Sequence, residues 1–250
     1  MRWPACLLLL LATVALRADE YGREIAEQHA HRAGDRLAKL QSLYAEGRTL
    51  INDESVPFKL WARRPDQLRF ESVTDQRRVV QVFDGKHEPW ISHSEAKAGA
   101  PQPMSVGERK DFLANADFDG ALVDFAAKGY TVDYAGEDTI DGRKAGKLLV
   151  MSASDDIFFL WLDAQTHEVV KRGVFRVSGG QRVMVETTFS DFREVGGVLQ
   201  PHRIETKLGE RTLYLMVISR MEANSAQVTD AVFAAPEGWP ELKTAPAKAR

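Results

Sequence analysis

The sequence predicts an α+β fold in which helices accompany one long antiparallel sheet, and three observations carry that prediction. From Asp19 to Leu43, Ile25, Ala26, Ala30, Ala33, Leu37, Leu40 and Leu43 recur at helical spacing with charges between them. Beyond Tyr44 the texture changes to β-branched and aromatic residues, punctuated by turn signals at Asp53-Glu-Ser55, Asp84-Gly85, Asp141-Gly142, Gly179-Gly180 and Gly196-Gly197. Midway, Ser105 and Glu108 form a capping box ahead of an apolar stripe of Phe112, Leu113 and Ala116, which marks a second helical region.

Three segments are expected: a signal peptide over 1–18, one domain over 19–235 and a disordered tail over 236–250. Arg2, the leucine run Leu7 to Leu11 and then Ala12, Ala15 and Ala18 reproduce the charged, apolar and small-residue regions of a secretory signal cleaved after Ala18. The apolar stretch from Trp3 to Leu16 is shorter than the ~20 residues that span a bilayer, so a soluble exported protein is expected. Cys6 lies before the leucine run, which leaves no thiol after cleavage and no disulfide to stabilise the fold. Losing Arg2 and Arg17 from the 33 Lys and Arg leaves 31 against 36 acidic residues, a formal charge of −5 that disfavours nucleic acid as a partner. The tail is rich in Pro, Ala and Lys, with little apolar periodicity after Trp239 and Leu242.

Strands are expected at Tyr44 to Ile51, Val56 to Ala62, Gln67 to Val73, Arg78 to Phe83 and His87 to Ser92. After the second helical region come Tyr130 to Glu137, Arg143 to Ser152, Ile157 to Leu162, Val169 to Val177, Arg182 to Glu194, Val198 to Lys207 and Thr212 to Met221. In Ile157-Phe-Phe-Leu-Trp-Leu162 and Lys147-Leu-Leu-Val-Met151 both alternating faces are apolar. An antiparallel sheet with one wet face lacks that pattern. Either both faces are covered or one lines a cavity.

Residues that could carry chemistry read more simply as structure. His29 and His31 stand two apart on a helix, point to different faces and are read as solvated; His87, His93, His167 and His202 lack metal-ligand spacing. Asn115-Ala-Asp-Phe-Asp-Gly120 imitates the start of a calcium loop, but its twelfth position is Ala126 rather than the bidentate Glu, so a helix-ending turn is expected. Asp155-Asp156, and Asp138 with Asp141, sit in turns that favour Asp for local hydrogen bonding. Nucleophile elbow, phosphate loop, dinucleotide fingerprint and zinc-protease helix are all missing from the sequence. Neither an enzyme nor a cofactor is implied.

Trp61-Ala-Arg-Arg-Pro-Asp-Gln-Leu-Arg-Phe70 followed by Val82-Phe-Asp-Gly-Lys86 resembles the periplasmic outer-membrane lipoprotein carriers, a LolA/LolB-like family, and Asp191-Phe-Arg-Glu-Val-Gly-Gly-Val-Leu-Gln-Pro-His-Arg-Ile204 resembles their lipoprotein-sorting relatives. The resemblance implies a strongly curved antiparallel sheet, an unclosed β-barrel, with helices covering the concave face over an apolar cavity. It implies a carrier that binds acyl chains of lipoproteins, or another lipid, and delivers them towards the outer membrane, with an inner-membrane exporter and an outer-membrane receptor as partners. The same fold also suits an envelope interaction or stress-sensing module that binds a protein. Carried over residue by residue, the resemblance makes Arg64 the arginine that hydrogen-bonds carbonyls of a helical lid over an empty cavity. Trp61, Phe70, Val82, Trp90, Phe159, Trp161 and Phe175 are the expected ligand-binding side chains beside it.

Overall fold

The computed structural model describes residues 20–74, 77–94, 99–154 and 156–242, and the backbone but not the side chain of Ser178. The expected signal peptide and residues 243–250 lie outside the described residues. Helix α1 covers 20–31, and after a turn through Gly34 (φ +52°) helix α2 covers Asp35–Lys39. Strands follow at β1 (Ser42–Ile51), β2 (Glu54–Arg63), β3 (Gln67–Val73), β4 (Arg78–Phe83), β5 (Trp90–Ser94) and β6 (Gln102–Pro103). Helix α3 (Val106–Ala116) interrupts them. Next come β7 (Thr131–Ile140), β8 (Arg143–Met151), β9 (Ile157–Asp163), β10 (Val169–Ser178), β11 (Gln181–Val195), β12 (Val198–Leu208) and β13 (Arg211–Ala223), then helix α4 (Asp230–Phe233).

All thirteen strands form one sheet in the order β6-β5-β4-β3-β2-β1-β13-β12-β11-β10-β9-β8-β7. It is an open sheet: β6 and β7 are its edges. Two-residue loops with both residues at positive φ make several of its hairpins: Asn52 and Asp53, Asp141 and Gly142, Gly179 and Gly180, Gly196 and Gly197. Those left-handed pairs match the right-handed twist of flanking strands, which is why Gly, Asn and Asp occupy them. The expected single helix to Leu43 is instead broken at Gly34, and Leu43 belongs to β1. The strand β6 and helix α4 carry too few residues to show a period.

The chain divides into two units. The first comprises residues up to Asp35, Ala121–Arg193 and Leu199–Leu215. Its core forms where Ile25 and Ala26 of α1 meet Leu148 and Val150 of β8, Phe158, Leu160 and Leu162 of β9, Val132 of β7 and Leu122. At Gly22 a Cβ would lie 2.7 Å from the Tyr134 amide nitrogen, so only glycine lets α1 approach β7 this closely. The end of α1 is tied to the β9–β10 hairpin by Arg32 and Glu168, 2.6 Å apart. Beside them His29 Nδ1 stands 2.7 Å from the carbonyl oxygen of His167, and since a carbonyl only accepts, Nδ1 carries the proton. His29 is therefore buried, not solvated as its helical spacing suggested.

The second unit comprises Arg36–Gly120, Glu194–Val198 and Met216–Arg250. Two clusters form on opposite faces of its strands. Leu68, Phe83, Ile91, Met104, Phe112 and Ala116 pack on the face carrying α3, whereas Tyr44, Trp61 and Phe233 pack on the face carrying α4. Ser105 caps α3 as expected: the Glu108 amide donates to Ser105 Oγ and the Ser105 amide to Glu108 Oε2. Residues 236–242, expected to begin a loose tail, are tied to the β4–β5 connection. Trp239 Nε1 donates to the Glu88 carbonyl at 2.7 Å, the Glu88 amide to Pro240, and Glu241 bridges His87.

Candidate functional site

Strand pairing decides which side chains share a face. In the second unit Leu60 pairs with Phe70, Ala62 with Leu68, Leu68 with Phe83 and Gln81 with Ile91, so these point towards α3. Leu60, Ala62, Phe70, Val79 and Leu113 of that face are only half-buried, beyond the fully buried cluster beneath α3. Phe70 stacks on Phe58 with ring centroids 5.6 Å apart. Partly exposed apolar side chains beside a packed core are what an acyl chain needs, because the core holds them in place while their free surface remains to be covered.

At the end of β2 the backbone and side chain of Arg64 reach four neighbours. Its amide donates to the Gln41 carbonyl at 3.0 Å. Nε donates to the Leu40 carbonyl at 2.7 Å and Nη2 to the Leu37 carbonyl at 2.8 Å, closing the C-terminal end of α2, where helical carbonyls have no partner of their own. Nη1 pairs with the carboxylate of Asp119 on the turn after α3, and the guanidinium lies 5.1 Å from the Phe118 ring. The Phe118 amide in turn donates to the Pro65 carbonyl. One planar cation thus pins α2 and the exit of α3 to the end of β2. Asp117 caps α3, so Asn115 to Gly120 contains the expected helix-ending turn, and its Asp119 serves Arg64. Near the pin, burial and then the Asp117 and Asp84 carboxylates push the Asp66 carboxyl up.

Of the eight expected ligand-binding residues, Arg64 and Phe70 belong to this site. Trp61, Val82 and Trp90 do not: Trp61 pairs with Arg69, Arg69 with Val82 and Val82 with Trp90, and all four point to the face carrying α4. There Trp61 packs with Tyr44 and Phe233, and Arg69 lies 5.6 Å from its ring while donating to the Val232 carbonyl. One surface cannot be lined from both faces of a strand. In the first unit Phe159, Trp161 and Phe175 lie on the face opposite α1, since Phe158 and Leu160 face the α1 core. Trp161 there donates from Nε1 to Asp138 at 2.9 Å, beneath the ammonium groups of Lys147 and Lys171. Trp161 is therefore covered on that face, whereas Ile157 at the start of β9 remains exposed.

Sequence reasoning passed over Leu60, Leu113 and Val79 because their residue types are those of any core. On the α1 face of the first unit it passed over Val174 and Val185, which pair directly and stay half-buried. Pairing register was the missing signal.

No family model and no curated protein matches this chain. Solved structures do. A DUF1329 family protein from Desulfovibrio piger matches with a TM-score of 0.61 at 13% identity, covering 87% of this chain and 97% of that one. A LolA superfamily protein from Nitrosomonas europaea matches with a TM-score of 0.56 at 14% identity over 84% of this chain and 97% of its own. A putative outer membrane lipoprotein-sorting protein domain from Vibrio parahaemolyticus matches with a TM-score of 0.55 at 11% identity over 83% and 94%. The fold of this chain is the open antiparallel sheet with attendant helices that these LolA-like structures share.

Proposed function

We propose that the protein is a periplasmic carrier that holds acyl chains of lipoproteins, or of another lipid, against the α3 face and delivers them towards the outer membrane. The observation that carries this reading is the half-buried apolar set Leu60, Ala62, Phe70, Val79 and Leu113, which shares its unit with the Arg64 pin. Likeness to a lipoprotein-sorting domain and to a LolA superfamily protein supports it at the level of fold. The physical need is plain. An acyl chain of roughly fifteen methylenes costs about 12 kcal/mol to expose to water at ~0.8 kcal/mol per CH₂.

Release must be as available as binding. Hydrogen bonds to a charged group contribute about 1.5–3 kcal/mol each, so a lid held by two carbonyl bonds and one ion pair opens for less than the acyl chain costs in water. The role is binding rather than catalysis. Native mass spectrometry of protein purified from its own periplasm, followed by lipid extraction, tests the reading. A bound lipid or acylated peptide supports it, and a well-folded, empty chain that also leaves an added fluorescent fatty acid in water contradicts it.

A further inference from the structure

The face of the first unit that points away from α1 carries more apolar surface than packing requires. Across it run Leu149 and Phe159, paired; Met151 and Ile157, paired; and Phe175 and Met184, paired, with Val177 beyond them opposite Arg182. Met151, Ile157 and Val177 are 38%, 40% and 78% exposed. Cations lie among them. Lys147 Nζ stands 4.5 Å from the Phe159 ring centroid and 4.9 Å from that of Trp161, and the Arg182 guanidinium stands 4.1 Å from that of Phe175.

Nearby carboxylates are already engaged. Asp138 accepts from Trp161, and Glu186 pairs with Lys171 at 2.7 Å. Among the described residues Lys147 and Arg182 have no carboxylate partner, although the chain as a whole is acidic. Lysine stems that shield Trp161 account for its burial. They do not account for exposed apolar side chains at both ends of the stripe.

We propose that this face docks on an anionic lipid bilayer. Aromatic rings topped by cations, with aliphatic groups beside them, match the boundary of a bilayer: phosphates accept from the ammonium and guanidinium groups while Met151, Ile157 and Val177 enter the acyl edge. The proposal involves neither Phe70 nor Arg64 and goes beyond the carrier reading. It says how a carrier with no helix long and apolar enough to cross a membrane among its described residues meets one.

Co-sedimentation of the full chain with phosphatidylcholine vesicles, with and without phosphatidylglycerol, tests it. Binding to the anionic vesicles is expected, weakened by salt, by Val177→Asp and by the double variant Lys147→Glu, Arg182→Glu. Each cation near an anionic surface contributes about fivefold to partitioning, so neutralising two already predicts a loss of roughly 25-fold and reversing them a larger one. Val177→Asp replaces an exposed side chain and keeps the fold, which far-ultraviolet circular dichroism verifies. Failure to bind anionic vesicles, equal binding to neutral ones, or binding unchanged in both variants, as a docking face for a protein would give, overturns the proposal.

Discussion

Arg64 donates from Nε to the carbonyl oxygen of Leu40 at 2.7 Å, so the residue that follows β2 also closes the end of α2. Replacing it with leucine removes this bond, the bond to Leu37 and the pair with Asp119 together. Arg64→Leu should keep its circular dichroism spectrum and lose about 2–4 kcal/mol in urea unfolding, since the freed carbonyls can turn to water. Acyl-probe transfer to acceptor vesicles should change in rate. Arg64→Lys should not restore it, because a point charge cannot serve two carbonyls and a carboxylate in the geometry of a planar fork. Transfer unchanged in Arg64→Leu would remove the pin from the account.

His29 predicts how stability depends on pH. Burial, and then the charge of Arg32, lower its pKa from 6.5 to about 3. Its folded pKa lies below its unfolded one, so the unfolded chain takes up the proton first. Stability contributed by the neutral ring is present above pH 6.5 and is lost as pH falls towards 3, at about 1.4 kcal/mol per unit. Glu168, pushed up by burial, acts in the opposite sense as its folded form takes up a proton early, which offsets part of the loss. His29→Gln should flatten the decline between pH 6.5 and 4 in urea titrations. An equally steep decline in the variant would assign the pH dependence to other groups.

Gly47 fixes how closely β1 and β13 can lie. A Cβ there would fall inside contact distance of the Val217 carbonyl and 2.9 Å from the Ile218 Cα, both backbone atoms that cannot swing away. Gly47→Ala should therefore destabilise by about 3 kcal/mol or more, at the upper end of overpacking costs. Gly107→Ala, where a Cβ meets nothing within 4 Å, serves as the control and should be neutral or slightly stabilising. Thermal melts of the two variants decide this.

Removal of residues 236–250 should also lower stability. It takes away the Trp239 bond to Glu88, the Pro240 carbonyl and the packing of Leu242 on the α3-side cluster. A melting temperature lower by several degrees is expected, and an unchanged one would mean that the bridge between Glu241 and His87 adds no stability.

Much of the sheet is legible in the sequence because period-two patterns and Gly or Asp turns are local. The span of β3, Gln67–Val73, and that of β4, Arg78–Phe83, coincide with their apolar runs, and Ser105 with Glu108 announces α3. Faces are not legible in the same way. Alternation shows that Trp61 and Leu60 point apart, but only pairing and the resting places of α3 and Phe233 tell which side holds α3 and which holds α4. The aromatic content that drew the choice to Trp61, Val82 and Trp90 carried no information that these three share the α4 face and Phe70 the α3 face. His29 was misplaced for a related reason: its partner, the His167 carbonyl, is 138 residues away in sequence.

The measurement that tests the central claim most directly is photolabelling with a diazirine-bearing fatty acid, read by peptide mass spectrometry. Label on Leu60, Phe70 and Leu113, suppressed by excess unlabelled fatty acid, is the predicted result. Label confined to the Trp61 and Trp90 face, or none that competes, would contradict an acyl site beneath α3.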